Sequence, residues 1–260
     1  MKLWNHKLYS VLGFVFVVAC SSVAGETLVN LKVSSDPSST TIGNALNADN
    51  IEYTVAKVVV SEIEFEQALD CSIDDDVVDE QEIEFEYEGP FVVNLLNQKA
   101  IPSFDQIKIE KATYCKFKFK LDKLEDDEVP EGVSVSDNIV DYSVYIEGTY
   151  DSSTPFIVKL DQDEEFEMES ESIEGLNFTN GELNTIFLVF DLSKLFEGIA
   201  DLSTLDDVDG VVYIDKDNNQ DEYDLIKENM EKAIIFDTKN IIKEVPEDIK
   251  LYNYGNLFTL

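Results

Sequence analysis

The chain has no arginine, one histidine, one tryptophan and three cysteines among 260 residues, and each scarcity removes some chemistry. Without arginine there is no planar guanidinium fork to hold a phosphate or carboxylate through two parallel hydrogen bonds. The sole histidine, His6, falls in a stretch expected to be removed. That leaves no Ser-His-Asp or Cys-His nucleophile and no imidazole ligand for zinc or copper. Positive charge is scarce as well: 19 lysines stand against 55 aspartates and glutamates, for a formal net charge of −36. A balance of that kind repels polyanions, which excludes nucleic acid as a partner and disfavours adsorption on anionic lipid. No apolar run near the N-terminus is long enough to span a bilayer, since the one at 11–19 covers nine residues where about 20 are needed.

What the N-terminus does contain is the pattern of a secretory signal: Lys2 and Lys7, then the apolar run, then small residues. Val17-Val18-Ala19-Cys20 resembles a bacterial lipobox, in which the cysteine thiol carries a thioether-linked diacylglycerol and becomes the new N-terminus. Each buried acyl methylene contributes about 0.8 kcal/mol, so several chains on Cys20 would anchor the protein. Ser21 in the following position resembles an outer-membrane sorting signal. Cleavage after Ala24 is the alternative, because Ser22-Val23-Ala24 also satisfies a small-x-small rule. The expectation is a signal peptide and lipobox over 1–20, with a lipid-anchored protein of the cell envelope beyond it, outer-membrane-anchored or else periplasmic or secreted.

The mature chain keeps Cys71 and Cys115. In an oxidising compartment such a pair reads as a disulfide. Closing the 43 intervening residues would contribute roughly 3 to 4 kcal/mol in the chain-entropy view; two unpaired buried thiols are the other reading. Acidic residues alternate with Ile, Phe, Tyr and Val instead of forming polar blocks, as in Glu62, Glu64 and Glu66 against Ile63 and Phe65. Period-two patterning of this kind predicts strands with a solvated acidic face. Strands are expected at 28–34, 51–66, 82–88, 91–96, 106–121, 140–150, 156–160, 165–169 and 184–190. Helical spacing at 192–199 and 221–234 predicts two short helices, the second capped by Asp221 with Asp224 three residues on. The fold class is therefore mainly β: one or two antiparallel β-sandwiches, with the helices in the C-terminal half. An acidic stretch punctuated by Pro and Gly at 122–138 divides a 27–124 β-sandwich domain from a 139–260 β-rich domain.

Three first-half segments carry a resemblance: 53–65, then Val92-Val93-Asn94-Leu95-Leu96, then Ala112-Thr113-Tyr114-Cys115-Lys116-Phe117-Lys118-Phe119. They are similar to an uncharacterised family of bacterial and archaeal envelope lipoproteins, over roughly 27–121. That resemblance implies an immunoglobulin-like or transthyretin-like β-sandwich and supplies no catalytic residues. Ala112 stands where the family has Gly before Thr-Tyr. In the second half, Ile146-Glu147-Gly148-Thr149-Tyr150, Thr154-Pro155-Phe156 and the 190–196 segment are similar to extended lipoproteins of the same group.

One segment has the pattern of a chemical site. Asp215, Asp217, Asn219 and Asp221 place oxygens at alternate positions, as a calcium loop does, with Asp206, Asp207 and Asp209 near enough in sequence to add ligands. The loop departs from an EF-hand at Gln220 and Ile226, where Gly and a bidentate Glu belong. The alternative reading is a solvated turn preceding a helix, and calcium is the only cofactor the sequence suggests. The function expected is a non-catalytic, acidic envelope lipoprotein that binds a protein or glycan partner. Calcium-dependent adhesion or glycan binding is one alternative. A glycan hydrolase using two carboxylates is another, and it requires a cleft with carboxyls about 5 to 9.5 Å apart.

Overall fold

The computed structural model describes residues 26–35, 50–67, 83–104, 107–110, 112–169, 176–177 and 184–238. Cys20, Cys71 and most of the polar segment 35–50 lie outside them. In chain order the strands are β1 (Glu26–Ser35), β2 (Ile51–Gln67), β3 (Ile83–Asn94), β4 (Lys99–Ile101), β5 (Ile107–Glu110), β6 (Thr113–Leu121), β7 (Val144–Tyr150), β8 (Thr154–Leu160), β9 (Glu164–Glu169), β10 (Leu176–Asn177), β11 (Asn184–Phe190), β12 (Asp207–Val208), β13 (Val211–Ile214) and β14 (Ile234–Thr238). Helix α1 (Leu192–Leu195) follows β11, and α2 (Gln220–Ala233) precedes β14.

The fold is mainly β with two short C-terminal helices, as expected, but it is not an antiparallel sandwich. A smaller sheet runs β14-β11-β1-β5 and a larger one β10-β6-β2-β7-β8-β13-β12, with β3 and β4 added beside β2 and β9 beside β6. Both sheets are mixed, since β1 pairs parallel with β11 and β13 parallel with β8, and neither is closed into a sandwich. Sequence patterning fixes which face of a strand is apolar, whereas the direction of its neighbour depends on chain crossings that alternation does not encode.

Strand β2 organises the larger sheet. Its first half lies beside β7, its second half beside β6, and β3 runs along its other edge. The register shifts between Tyr53 and Val55 and again between Val60 and Glu62. Thr54 and Ser61 are therefore extra residues, and each reverses the inward parity. Ile51 and Tyr53 pack on the main core, then Ala56, Val58 and Val60 join it, then Ile63 and Phe65. Without the two bulges, a 17-residue strand would aim half of this apolar set at solvent.

The main core draws Leu31, Val33, Ile186, Leu188 and Phe190 from the smaller sheet and Phe65, Phe117, Phe119 and Phe156 from the larger. Phe119 meets Phe190 edge-on at 6.2 Å between ring centroids. A second cluster on the outer face of the larger sheet joins Val59, Val92 and Tyr145 to Leu124 and Ile139, with Val129 and Val133 packed against it. Segment 122–138, expected as an interdomain boundary, thus lies against the sheet.

One expectation requires correction. The described residues contain a single cysteine, Cys115, so no cysteine pair stands at disulfide distance among them, and the bridge between Cys71 and Cys115 is not supported as a feature of the described fold. Cys115 is buried. It occupies a β6 bulge, because Tyr114 pairs with Gln67 while Lys116 pairs with the adjacent Glu66.

Candidate functional site

A cleft of about 740 Å³ opens where the two sheets meet. Its floor is apolar and belongs to the cores: Leu31 and Val33 from β1, Val92 and Val93 from β3, and Phe104, all at most 5% exposed. One wall is the β3–β4 hairpin, whose turn is held by side-chain amides. Asn94 Oδ1 accepts from the backbone N–H groups of Leu96 and Asn97 at 3.0 and 3.2 Å, and Asn97 Oδ1 accepts from that of Lys99 at 3.2 Å. These are Asx-type turns, which Asn forms readily because its short side chain reaches its own neighbouring backbone.

The opposite wall is the 132–137 loop. It turns at Gly132, whose φ of +100° suits glycine, and rests on Ile101, so a Cβ there would lie 3.2 Å from Ile101 Cγ2. Lys57 Nζ donates to both oxygens of Asp137 at 2.6 and 2.7 Å, tying this loop to β2. Lys32, Lys57 and Lys99 line the cleft, and among the described residues Asp137 is the one carboxylate of its lining. Of the large apolar residues exposed among the described ones, Ile101 is in the lining, while Leu96 and Val135 sit on the hairpin turn and the loop that wall it. Sequence reasoning did not single out this cleft, because its lining comes from four separated segments. The Asn94-Leu95-Leu96-Asn97 turn was the available signal.

The Asp215 to Asp221 loop forms a turn held by its own groups. Asp215 Oδ1 accepts from the backbone N–H of Asp217 and of Asn218 and from Asn218 Nδ2, at 2.8 to 3.0 Å. Asn219 adopts a left-handed backbone, donates from Nδ2 to the carbonyls of Asp206 and Tyr213, and accepts from Asp206 N–H. Residues 206 and 219 are thus brought together, but through backbone. Among the described residues, no group of three or more His, Cys, Asp or Glu side chains is placed to hold a metal. Helix α2 begins at Gln220, one residue before the expected start, and Asn219 precedes it without a side-chain cap. Asp221 and Glu222 then lie in the first turn, where they complement the helix dipole.

A third polar cluster is structural. Tyr223 of α2 donates to Asp161 Oδ1 at 2.8 Å, and Lys216 Nζ to Oδ2 at 3.1 Å. Burial pushes the Asp161 carboxyl up, but these two donors outweigh it and hold the group below the ordinary aspartate value. Among the described residues, no helix is long and apolar enough to cross a membrane. In the cleft, by contrast, the Lys99 ammonium on β4 is exposed and has no carboxylate at ion-pair distance among the described residues.

Comparison with family models, with curated proteins and with solved structures finds no match to this chain.

Proposed function

We propose that the chain is an exported, lipid-anchored protein of the cell envelope that binds its ligand without transforming it, and that the cleft between the hairpin and the 132–137 loop is where binding occurs. The supporting observation is the cleft itself: an apolar floor, walls of lysine and amide groups, and a volume within the usual ligand-site range of about 300 to 1,000 Å³. Asp137, the one carboxylate among its described lining residues, is engaged by Lys57. A glycosidic mechanism needs a second carboxylate across from it, so this cleft favours binding over carboxylate-pair hydrolysis. The signal-like N-terminus and the lipobox-like pattern Val17-Val18-Ala19-Cys20 support the location.

The test is recovery of ligand by the mature protein from a small-molecule extract of cell envelopes, followed by mass spectrometry. Capture of an unaltered compound, lost in Ser134→Trp, which fills the exposed wall, is the expected result. Conversion of extract components into products would overturn the reading, as would identical capture by the variant. Labelling with fatty acid, abolished by Cys20→Ala, checks the anchor separately.

A further inference from the structure

The polarity of the cleft runs against that of the chain. Carboxylates outnumber lysines 55 to 19 overall, yet among the described residues three lysines and one carboxylate line this cleft. Lys57 is neutralised by Asp137. Lys99 is exposed on β4, and among the described residues no carboxylate lies at ion-pair distance from it. The amides reinforce the bias. Asn94 Oδ1 already accepts from two backbone N–H groups and Asn97 Oδ1 from one, so Asn94 offers a ligand only its NH₂ donor, while Asn97 offers its NH₂ and one remaining lone pair.

Lysine ammonium and two amide NH₂ groups on one hairpin make a wall of donors above an apolar floor. We infer that the cleft takes an amphiphilic organic anion, a carboxylate or phosphate monoester on an apolar body, with the anionic head at Lys99, Asn94 and Asn97 and the body over Leu31, Val33 and Phe104. Lysine suits either head group, being a point charge without the directional demand of a guanidinium. This inference rests on the proposed binding role of the cleft.

The experiment is NMR titration of the isotope-labelled mature chain with hexanoate, hexyl phosphate, inorganic phosphate and hexan-1-ol, following the backbone amides of 95–101 and 132–137. Saturable shifts with one or both hexyl anions are expected, with weaker binding of inorganic phosphate and of hexan-1-ol; the ratio of the two anions identifies the head group. Lys99→Gln should weaken the preferred anion roughly tenfold with unchanged thermal stability in the absence of ligand, and Lys99→Arg should restore much of the affinity. Hexan-1-ol binding as tightly as the anions, or no loss in Lys99→Gln, would overturn the anionic assignment and leave the cleft a binding site. Inorganic phosphate binding as tightly as hexyl phosphate would overturn the role of the apolar floor. Absence of shifts with every probe would overturn this inference together with the binding role of the cleft.

Discussion

Gly148 faces the first bulge of β2, and Gly89 faces the second. A Cβ on Gly148 would lie 2.6 Å from the carbonyl oxygen of Glu52 and 2.8 Å from the ring of Phe156, while one on Gly89 would collide with the carbonyl of Val60. Backbone atoms in a paired strand cannot step aside, so Gly148→Ala is expected to cost roughly 1 to 3 kcal/mol, read as a lower denaturation midpoint at unchanged slope. A neutral Gly148→Ala would mean that the strand relaxes around the bulge. Period-two counting reads 51–66 as an uninterrupted strand, and the isolated glycines in facing strands were the sign of the two bulges. Gln162 presents the opposite case. It is buried, and neither its amide nitrogen nor its oxygen has a hydrogen-bond partner among the described residues. An unsatisfied buried amide is costly whereas an apolar group of similar shape is not, so Gln162→Met should raise the midpoint or leave it unchanged. A clear loss of stability would show that the amide is satisfied by water.

At the level of elements, β3, β2, β6 and β9 share a charged outer face whose rows follow from register. Glu86 opposes Glu64, which opposes Lys118, which opposes Glu167; Glu88, Glu62, Lys120 and Glu165 form a parallel row. Lys118 serves Glu64 at 3.1 Å and Glu66 at 3.4 Å, and β3 brings only further carboxylate. Directly opposed like charges destabilise a sheet, and opposite charges contribute about 0.2 to 1 kcal/mol. Glu86→Lys, at an exposed position opposite Glu64, should therefore raise the melting temperature, most visibly at low salt; an unchanged value at low salt would mean the row is fully screened. The acidic stripe of each strand was legible from alternation, as was strand 184–190, which matches β11. The short strands β4, β12 and β13 were not, because two to four residues carry too little periodicity. The span 106–121 gives two strands, β5 ending at Glu110 and β6 beginning at Thr113; the adjacent charges Glu110-Lys111 interrupt the alternation there, a mark that a count over the whole span passes over.

On the scale of the molecule, composition marks a boundary at 122–138, whereas four strand pairings among the described residues cross it, β1 with β11, β2 with β7, and β6 with both β9 and β10. β1 lies between β5 and β11, residues 26–35 running parallel to 184–190, and β2 joins β6 to β7. Long-range pairing leaves no local signature, and an acidic segment with Pro and Gly looks like a linker even where Leu124, Val129 and Ile139 pack beneath it. The same acidity sets the pH response. Burial is the largest influence on Glu64 and, with Glu84 and Glu66 nearby, keeps its carboxyl above the ordinary 4.5 although Lys118 pulls it down. A carboxyl raised on folding penalises the fold while ionised, and the penalty fades as pH falls through its folded value to the ordinary one. Asp161 has the opposite sign. Its lowered value stabilises the fold wherever it is ionised, a contribution present above the ordinary 3.8 and lost only as pH falls through the lower folded value. With a net charge of −36, general repulsion also eases on acidification. The melting temperature should therefore stay nearly level from about pH 8 to about pH 6, where the carboxylates remain ionised, rise as pH falls on to about pH 4.5, and fall below roughly pH 3.5. In Glu64→Gln the rise should be shallower with the acid fall retained, and in Asp161→Asn the acid fall should be blunted. A melting temperature that declines steadily from pH 8 downward would show that ionised carboxylates stabilise this fold on balance, the reverse of what the opposed glutamates of β2 and β3 require.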